Sequence, residues 1–115
     1  MNIHPHRHTK ADLITFLYFY REFLTHVKEL KSWHISILQI FLSRRLDHNM
    51  IDKIIKLFSE KELHYSKDKN FGKLMLSFLK INTALTEEQK NIMAEVVAVN
   101  ETLFKKPMEI ILKNM

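Results

Sequence analysis

The chain is predicted to be all-helical, and three observations carry that expectation. Only one glycine (Gly72) and two prolines (Pro5, Pro107) occur in 115 residues, too few for the tight turns of a sandwich or barrel. Apolar residues recur at a spacing of about 3.6 along most of the chain. Capping residues stand at the breaks between those periodic runs. A hydrophobic share of 46% against a charged share of 27% is that of a globular rather than a disordered chain. The length fits one domain, with residues 1–9 expected as a flexible His-rich tail and 10–115 as a single all-helical domain.

The first helix is expected from about Lys10 to Leu30, with Thr9 as N-cap and Asp12 three residues later. Leu13, Phe16, Leu17, Tyr20, Leu24 and Val27 form its inner stripe, while Ile14, Tyr18, Phe19 and Phe23 spread the apolar surface further round. At helical spacing such aromatic wealth reads as core, so this helix should be central or covered on two sides. As a terminal helix it would need a neighbour beyond the chain itself. The second helix runs from about Trp33 to Leu46 behind Ser32, burying Ile35, Leu38, Phe41 and Leu42. Asp47 or Asn49 caps the third, whose inner face is Ile51, Ile54, Ile55 and Phe58.

Polar Ser66–Lys67–Asp68 opens the fourth helix, with Phe71, Leu74, Met75 and Phe78 inward. Gly72 inside it costs about 1 kcal/mol against Ala, so close packing against a neighbour is expected there. Thr86–Glu87–Glu88–Gln89 has the form of a capping box, and opens a fifth helix burying Ile92, Met93, Val96 and Val97. Asn100 then caps a sixth segment with Phe104, Met108, Ile111 and Met115 on one stripe. Pro107 either kinks that helix or sits in its first turn. The favoured form is a short turn over Glu101 to Lys106 continuing into helix through Lys113. Connections of a few residues make neighbours antiparallel. Three helical hairpins would form a short solenoid of the HEAT or armadillo kind. A closed bundle is the alternative, and no sharp repeat of about 40 residues is visible.

Chemistry is defined mostly by exclusion. The chain has no cysteine, so disulfides, cysteine zinc sites and thiol nucleophiles are ruled out. A lone glycine excludes multi-glycine phosphate loops and dinucleotide fingerprints. Serines lack a glycine-flanked elbow. His4, His6 and His8 alternate as a chelating segment would, though no fourth ligand accompanies them, and a partly protonated tail explains them more simply. Glu22/His26, His48/Asp52 and Glu60/His64 stand four residues apart on one helical face, where surface pairing is commoner than an acid–base couple. The reading is a non-enzyme without cofactor or bound metal. No apolar run approaches the roughly 20 residues of a membrane span, and Leu13–Leu24 is broken by Arg21 and Glu22. The first residues do not form a signal peptide, so a soluble intracellular protein is expected.

Eighteen basic against 13 acidic residues leave a net charge of +5, compatible with nucleic acid, acidic proteins or anionic membrane. Basic residues gather at Arg44–Arg45, at Lys67, Lys69 and Lys73, and at Lys105–Lys106. No helix carries Arg, Asn and Gln at base-reading positions, so a small basic helical DNA-binding protein is the secondary reading. Leu103 projects about 100° from Phe104 on a helix. One of the two should therefore remain exposed beside Lys105 and Lys106.

Three motifs follow one another at a suggestive spacing: Asn70–Phe71–Gly72–Lys73–Leu74–Met75–Leu76, the Leu85–Thr86 helix start, and Asn100–Glu101–Thr102–Leu103–Phe104–Lys105–Lys106. Together they resemble the C-terminal helical-repeat region of the Fanconi anaemia group E family, over roughly Leu38 to Met115. Members of that family are longer, so this chain corresponds to their terminal portion. The resemblance implies a nuclear, non-enzymatic adaptor in DNA interstrand crosslink repair. It would bridge the group C subunit of the core ubiquitin ligase to the group D2 substrate. It also implies that Leu103, Phe104, Lys105 and Lys106 form the partner-binding neighbourhood.

Overall fold

The computed structural model describes residues 10–26, 28–42 and 44–115, with backbone alone at 10 and 61–64. It contains six helices: α1 (Lys10–His26), α2 (Ser32–Leu42), α3 (His48–Tyr65), α4 (Lys69–Ile81), α5 (Glu87–Ala98) and α6 (Lys105–Lys113). Thr9 and the histidines at 4, 6 and 8 lie outside the described residues, as does Val27. No strand occurs among the described residues.

The helices alternate between two rows. In one row α2 packs on α4 and α4 on α6; in the other α3 packs on α5. Tyr20 of α1 joins the second row, donating its hydroxyl to the Leu57 carbonyl of α3 (3.2 Å), while Tyr65 donates to the Leu24 carbonyl (2.7 Å). The extents of 46 × 34 × 19 Å fit this arrangement, the shortest being close to two helix diameters. Antiparallel alternation puts the α1–α2, α3–α4 and α5–α6 connections along one edge and the other two along the opposite edge. Each α-helix thus meets its next-but-one neighbour, as in a helical-repeat stack.

The core runs through both rows. Phe58 is fully buried and meets Phe71 and Phe78 edge-on, with Tyr20 tilted against its other side. All four expected inner residues of α3 and of α4 are buried. Leu76 and Leu79 are buried as well, so α4 is enclosed nearly all round and is the central helix. The expectation that α1 is central or covered on two sides is not met. Leu13, Phe16, Tyr20 and Leu24 are buried, but Tyr18 and Ile14 are each 60% exposed. The reason is topological: α1 ends its row and has α3 on one side only.

Two helix ends fall short of their expected positions, for the same reason. Helix α1 stops at His26 rather than Leu30 because α4 captures Leu30. The Leu30 N–H donates to Asp68 Oδ2 (2.9 Å), and the Asn70 amide donates to the Leu30 carbonyl (2.6 Å). Helix α2 stops at Leu42 rather than Leu46 because the Leu46 N–H donates to Asn82 Oδ1 (3.0 Å) at the end of α4. Both leucines are buried by these diversions.

Caps account for most of the helix starts. Asp47, not Asn49, caps α3, accepting from the Met50 N–H at 2.9 Å. Asp68 Oδ1 caps α4 through the N–H groups of Asn70 (2.8 Å) and Phe71 (3.2 Å). The Thr86–Gln89 capping box is complete, at 3.1 Å and 3.0 Å. Helix α2 uses a histidine in the same role: the Lys31 N–H donates to His34 Nδ1 at 2.9 Å. Buried between Phe23 and Trp33, His34 is held below the ordinary imidazole pKa by desolvation, reinforced by Lys31 and opposed by Asp68.

Helix α6 departs from expectation. Asn100 does not cap it; helix starts at Lys105 with no side-chain cap. Instead Asn100 is buried and its Oδ1 accepts from the Thr102 hydroxyl, whose Oγ1 accepts the Phe104 N–H at 3.2 Å. Pro107 falls in the first turn of α6, where its missing N–H costs nothing.

Candidate functional site

The edge that carries the α1–α2, α3–α4 and α5–α6 connections forms a groove of about 1030 Å³. Glu29, Leu30, Lys31 and Ser32 line it from the first connection, Lys67, Lys69, Asn70 and Lys73 from around the start of α4, and Glu101, Thr102, Leu103 and Phe104 from the last. Asp68 joins the first two walls through its bonds to Leu30, Asn70 and Phe71. The third wall is tied to the second by the Glu101 N–H donating to the Ser66 carbonyl at 2.9 Å.

Gly72 brings α4 close to that third wall. A Cβ at this position would stand 2.8 Å from Thr102 Oγ1 and 3.1 Å from Asn100 Oδ1. Close packing was expected here, and it is present, but the neighbour is a polar turn rather than a helix. The Asn100 amide nitrogen buried beside Gly72 has no hydrogen-bond partner among the described residues.

Of the four residues expected to meet a partner, the structure sets two in the groove and two beside it. Leu103 is 94% exposed at the rim, whereas Phe104 is half-buried against the core. The unequal burial expected of this pair is therefore observed. Lys105 and Lys106 start α6 and do not line the groove. The cations facing Leu103 across the opening are instead Lys31, Lys67, Lys69 and Lys73. Lys67 also reaches Glu101 at 3.6 Å, both side chains being largely exposed. Arg44 and Arg45 lie at the opposite edge, in the α2–α3 connection. Lys31 had no signal in the sequence, because only the capture of Leu30 by Asp68 turns it towards α4.

No family model matches the chain, and no curated protein or solved structure matches it. The motif around Asn70 consists largely of buried positions, with Phe71, Gly72, Leu74, Met75 and Leu76 all inside. Those positions serve helix packing, so they are informative about fold more than about partners.

Two of the three candidate acid–base pairs, Glu22/His26 and His48/Asp52, lie on the surface. His26 Nε2 is 3.7 Å from Glu22 Oε2, with both side chains well exposed. Asp52 pairs with Lys56 Nζ at 2.8 Å, which lowers its carboxyl pKa through that hydrogen bond, and His48 is exposed. The His64 side chain lies outside the described residues. Among the described residues no group of three His, Cys, Asp or Glu is placed to hold a metal ion, and no helix is long and apolar enough to cross a membrane.

Proposed function

We propose that this chain is a non-enzymatic protein-interaction adaptor whose groove takes an acidic segment carrying one bulky apolar side chain. The observation that supports this is Leu103, 94% exposed in a groove also lined by Lys31, Lys67, Lys69 and Lys73, which outnumber Glu29 and Glu101 there. A nearly bare leucine has apolar area to bury, and an excess of lysine over glutamate in the lining favours carboxylates at the rim. Under the Fanconi group E resemblance the adaptor would act in the nucleus, linking the group C core subunit to the group D2 substrate in crosslink repair. That specific form rests on the Asn70 and Asn100 motifs.

The test is fluorescence anisotropy with a labelled Asp/Glu-rich peptide containing a single Leu or Phe. Leu103→Ala is expected to weaken binding by about 30-fold, or roughly 2 kcal/mol, with melting unchanged. Full affinity in a folded Leu103→Ala variant overturns the assignment. The same lysines could instead neutralise phosphates, the basis of the DNA-binding alternative. Tighter binding of a DNA duplex, indifferent to Leu103 and falling steeply with salt, would select that reading.

A further inference from the structure

The outer faces of α1 and α2 form one end of the two rows, far from the lysine groove in composition. A second groove of about 270 Å³ runs between them, floored by Phe16, Leu38 and Phe41 and flanked by Phe19, Ile37 and Ile40. Ile40 is 66% exposed, Tyr18 60% and Trp33 55%. Phe23 stands edge-on to Trp33 at 5.7 Å and extends the apolar surface away from Ile40. The opposite end of the rows is more polar, with Ile110 as its one large exposed apolar side chain. There α5 and α6 flank a depression with Glu87, Lys90, Asn91, Glu109 and Lys113, and Lys90 pairs with Glu87 at 2.6 Å.

In a stack of helices the faces between layers are apolar because each buries the next, while terminal faces are polar. The α5–α6 end obeys that rule. The α1–α2 end has the composition of an internal face, and none of the described residues stacks on it. We propose that this end binds the same face of a second copy of the chain, forming a closed two-fold dimer.

Three observations point to a second copy. Head-to-tail stacking would press the apolar end onto the Glu and Lys side chains of the polar end, whereas like-on-like contact buries both apolar faces and closes at two. The apolar surface supplies the larger part of the area needed. Aromatic and large aliphatic side chains this exposed offer roughly 100 Å² each, so Tyr18, Trp33 and Ile40 with half-buried Phe19, Phe23 and Ile37 supply about 500 Å². A stable interface needs about 800 Å² per partner, and the rim residues Thr15, Glu22, His26 and Arg44 are available for the remainder. The rim charges also match. Arg44 and Asp12 border the edge where α1 begins, and Glu22 lies towards the Phe23–Trp33 edge. A two-fold axis lying across the helices exchanges the edges and brings each Arg44 towards the other copy's Glu22.

Sedimentation velocity on the full chain, over about a hundredfold range of concentration, reads the proposal directly. A concentration-dependent dimer is expected, persisting at about 0.5 M salt because its centre is apolar. Ile40→Glu and Trp33→Glu should each raise the dissociation constant by about 30-fold or more while the helical circular dichroism is kept. Ile110→Glu on α6, and Leu103→Ala in the lysine groove, should leave the dimer unchanged. A wild-type monomer throughout the range overturns the proposal. So does a ladder of species beyond the dimer, or a dimer that survives Ile40→Glu but is lost with Ile110→Glu.

Discussion

The two ends of the helix stack use the same backbone arrangement and opposite surfaces. At the α5–α6 end Met108 is fully buried and the outward positions are mostly Glu, Lys and Asn, with Ile110 the one large apolar side chain half exposed on α6. At the α1–α2 end Tyr18, Trp33 and Ile40 face outward. The difference shows where the fold's stability is complete within one chain and where apolar surface is left over. It also separates two kinds of recognition on one molecule: a flat apolar end, and a charged groove along an edge.

The contrast can be tested first by truncating one side chain at each end. Met108→Ala removes a buried side chain and should cost about 3 kcal/mol in chemical denaturation. Ile40→Ala, measured under dilute conditions, should change stability by no more than about 0.5 kcal/mol. A large cost for Ile40→Ala in the monomer would mean that the α1–α2 end is as enclosed as the other.

Gly72 sharpens the account of how the closed half is built. Alanine gains about 1 kcal/mol of helix propensity there, but its Cβ would crowd Thr102 Oγ1 at 2.8 Å and force the turn outward. Overpacking of this kind costs roughly 1–3 kcal/mol, so Gly72→Ala should be destabilising by about 1 kcal/mol net. A clearly higher melting temperature would show that the turn yields freely.

The smallest expected effect concerns the two reciprocal caps. Gln89 serves the α5 cap and His34 the α2 cap, through the N–H groups of Thr86 and Lys31. Only the histidine titrates near neutrality. Its folded pKa is depressed, so the unfolded chain takes up the proton first as pH falls. Stability from this site is present above the unfolded value of about 6.5 and lost progressively as pH falls below it. His34→Gln keeps an acceptor at the same position and removes the titration. Melting at about pH 7.5 and about pH 5.5 should show a smaller acid-induced loss in the variant than in the parent. An equal loss in both would place the acid sensitivity elsewhere.

The sequence was most legible where structure is local. The Thr86–Gln89 box, the Asp68 start of α4 and the inner faces of α3 and α4 all rest on interactions spanning a few residues. It misled where a distant group intervened. Leu30 and Leu46 continue the apolar period of their helices, and only Asp68 and Asn82, 38 and 36 residues away, turn them aside. The site divides in the same way. Unequal burial of Leu103 and Phe104 is what helical geometry predicts, yet both precede α6, and the turn held by Asn100 and Thr102 is what sets them apart. That Lys31 and Lys73 face Leu103 depends on three connections meeting at one edge, which no window of sequence contains. Asn100 has the residue type of a cap, but its side-chain oxygen accepts from Thr102 inside the turn instead.

That turn has an entropic consequence for any partner. Thr102 and Phe104, on either side of Leu103, are held by the Asn100–Thr102–Phe104 hydrogen bonds and braced against Gly72. The backbone beneath the exposed leucine is therefore already ordered in the free protein. Fixing a residue's backbone costs about 1–2 kcal/mol, whereas immobilising a leucine side chain costs only about 0.5–1 kcal/mol. A ligand that closes over Leu103 meets the smaller charge alone, and the tight approach at Gly72 thereby acts on affinity from a position that touches no ligand.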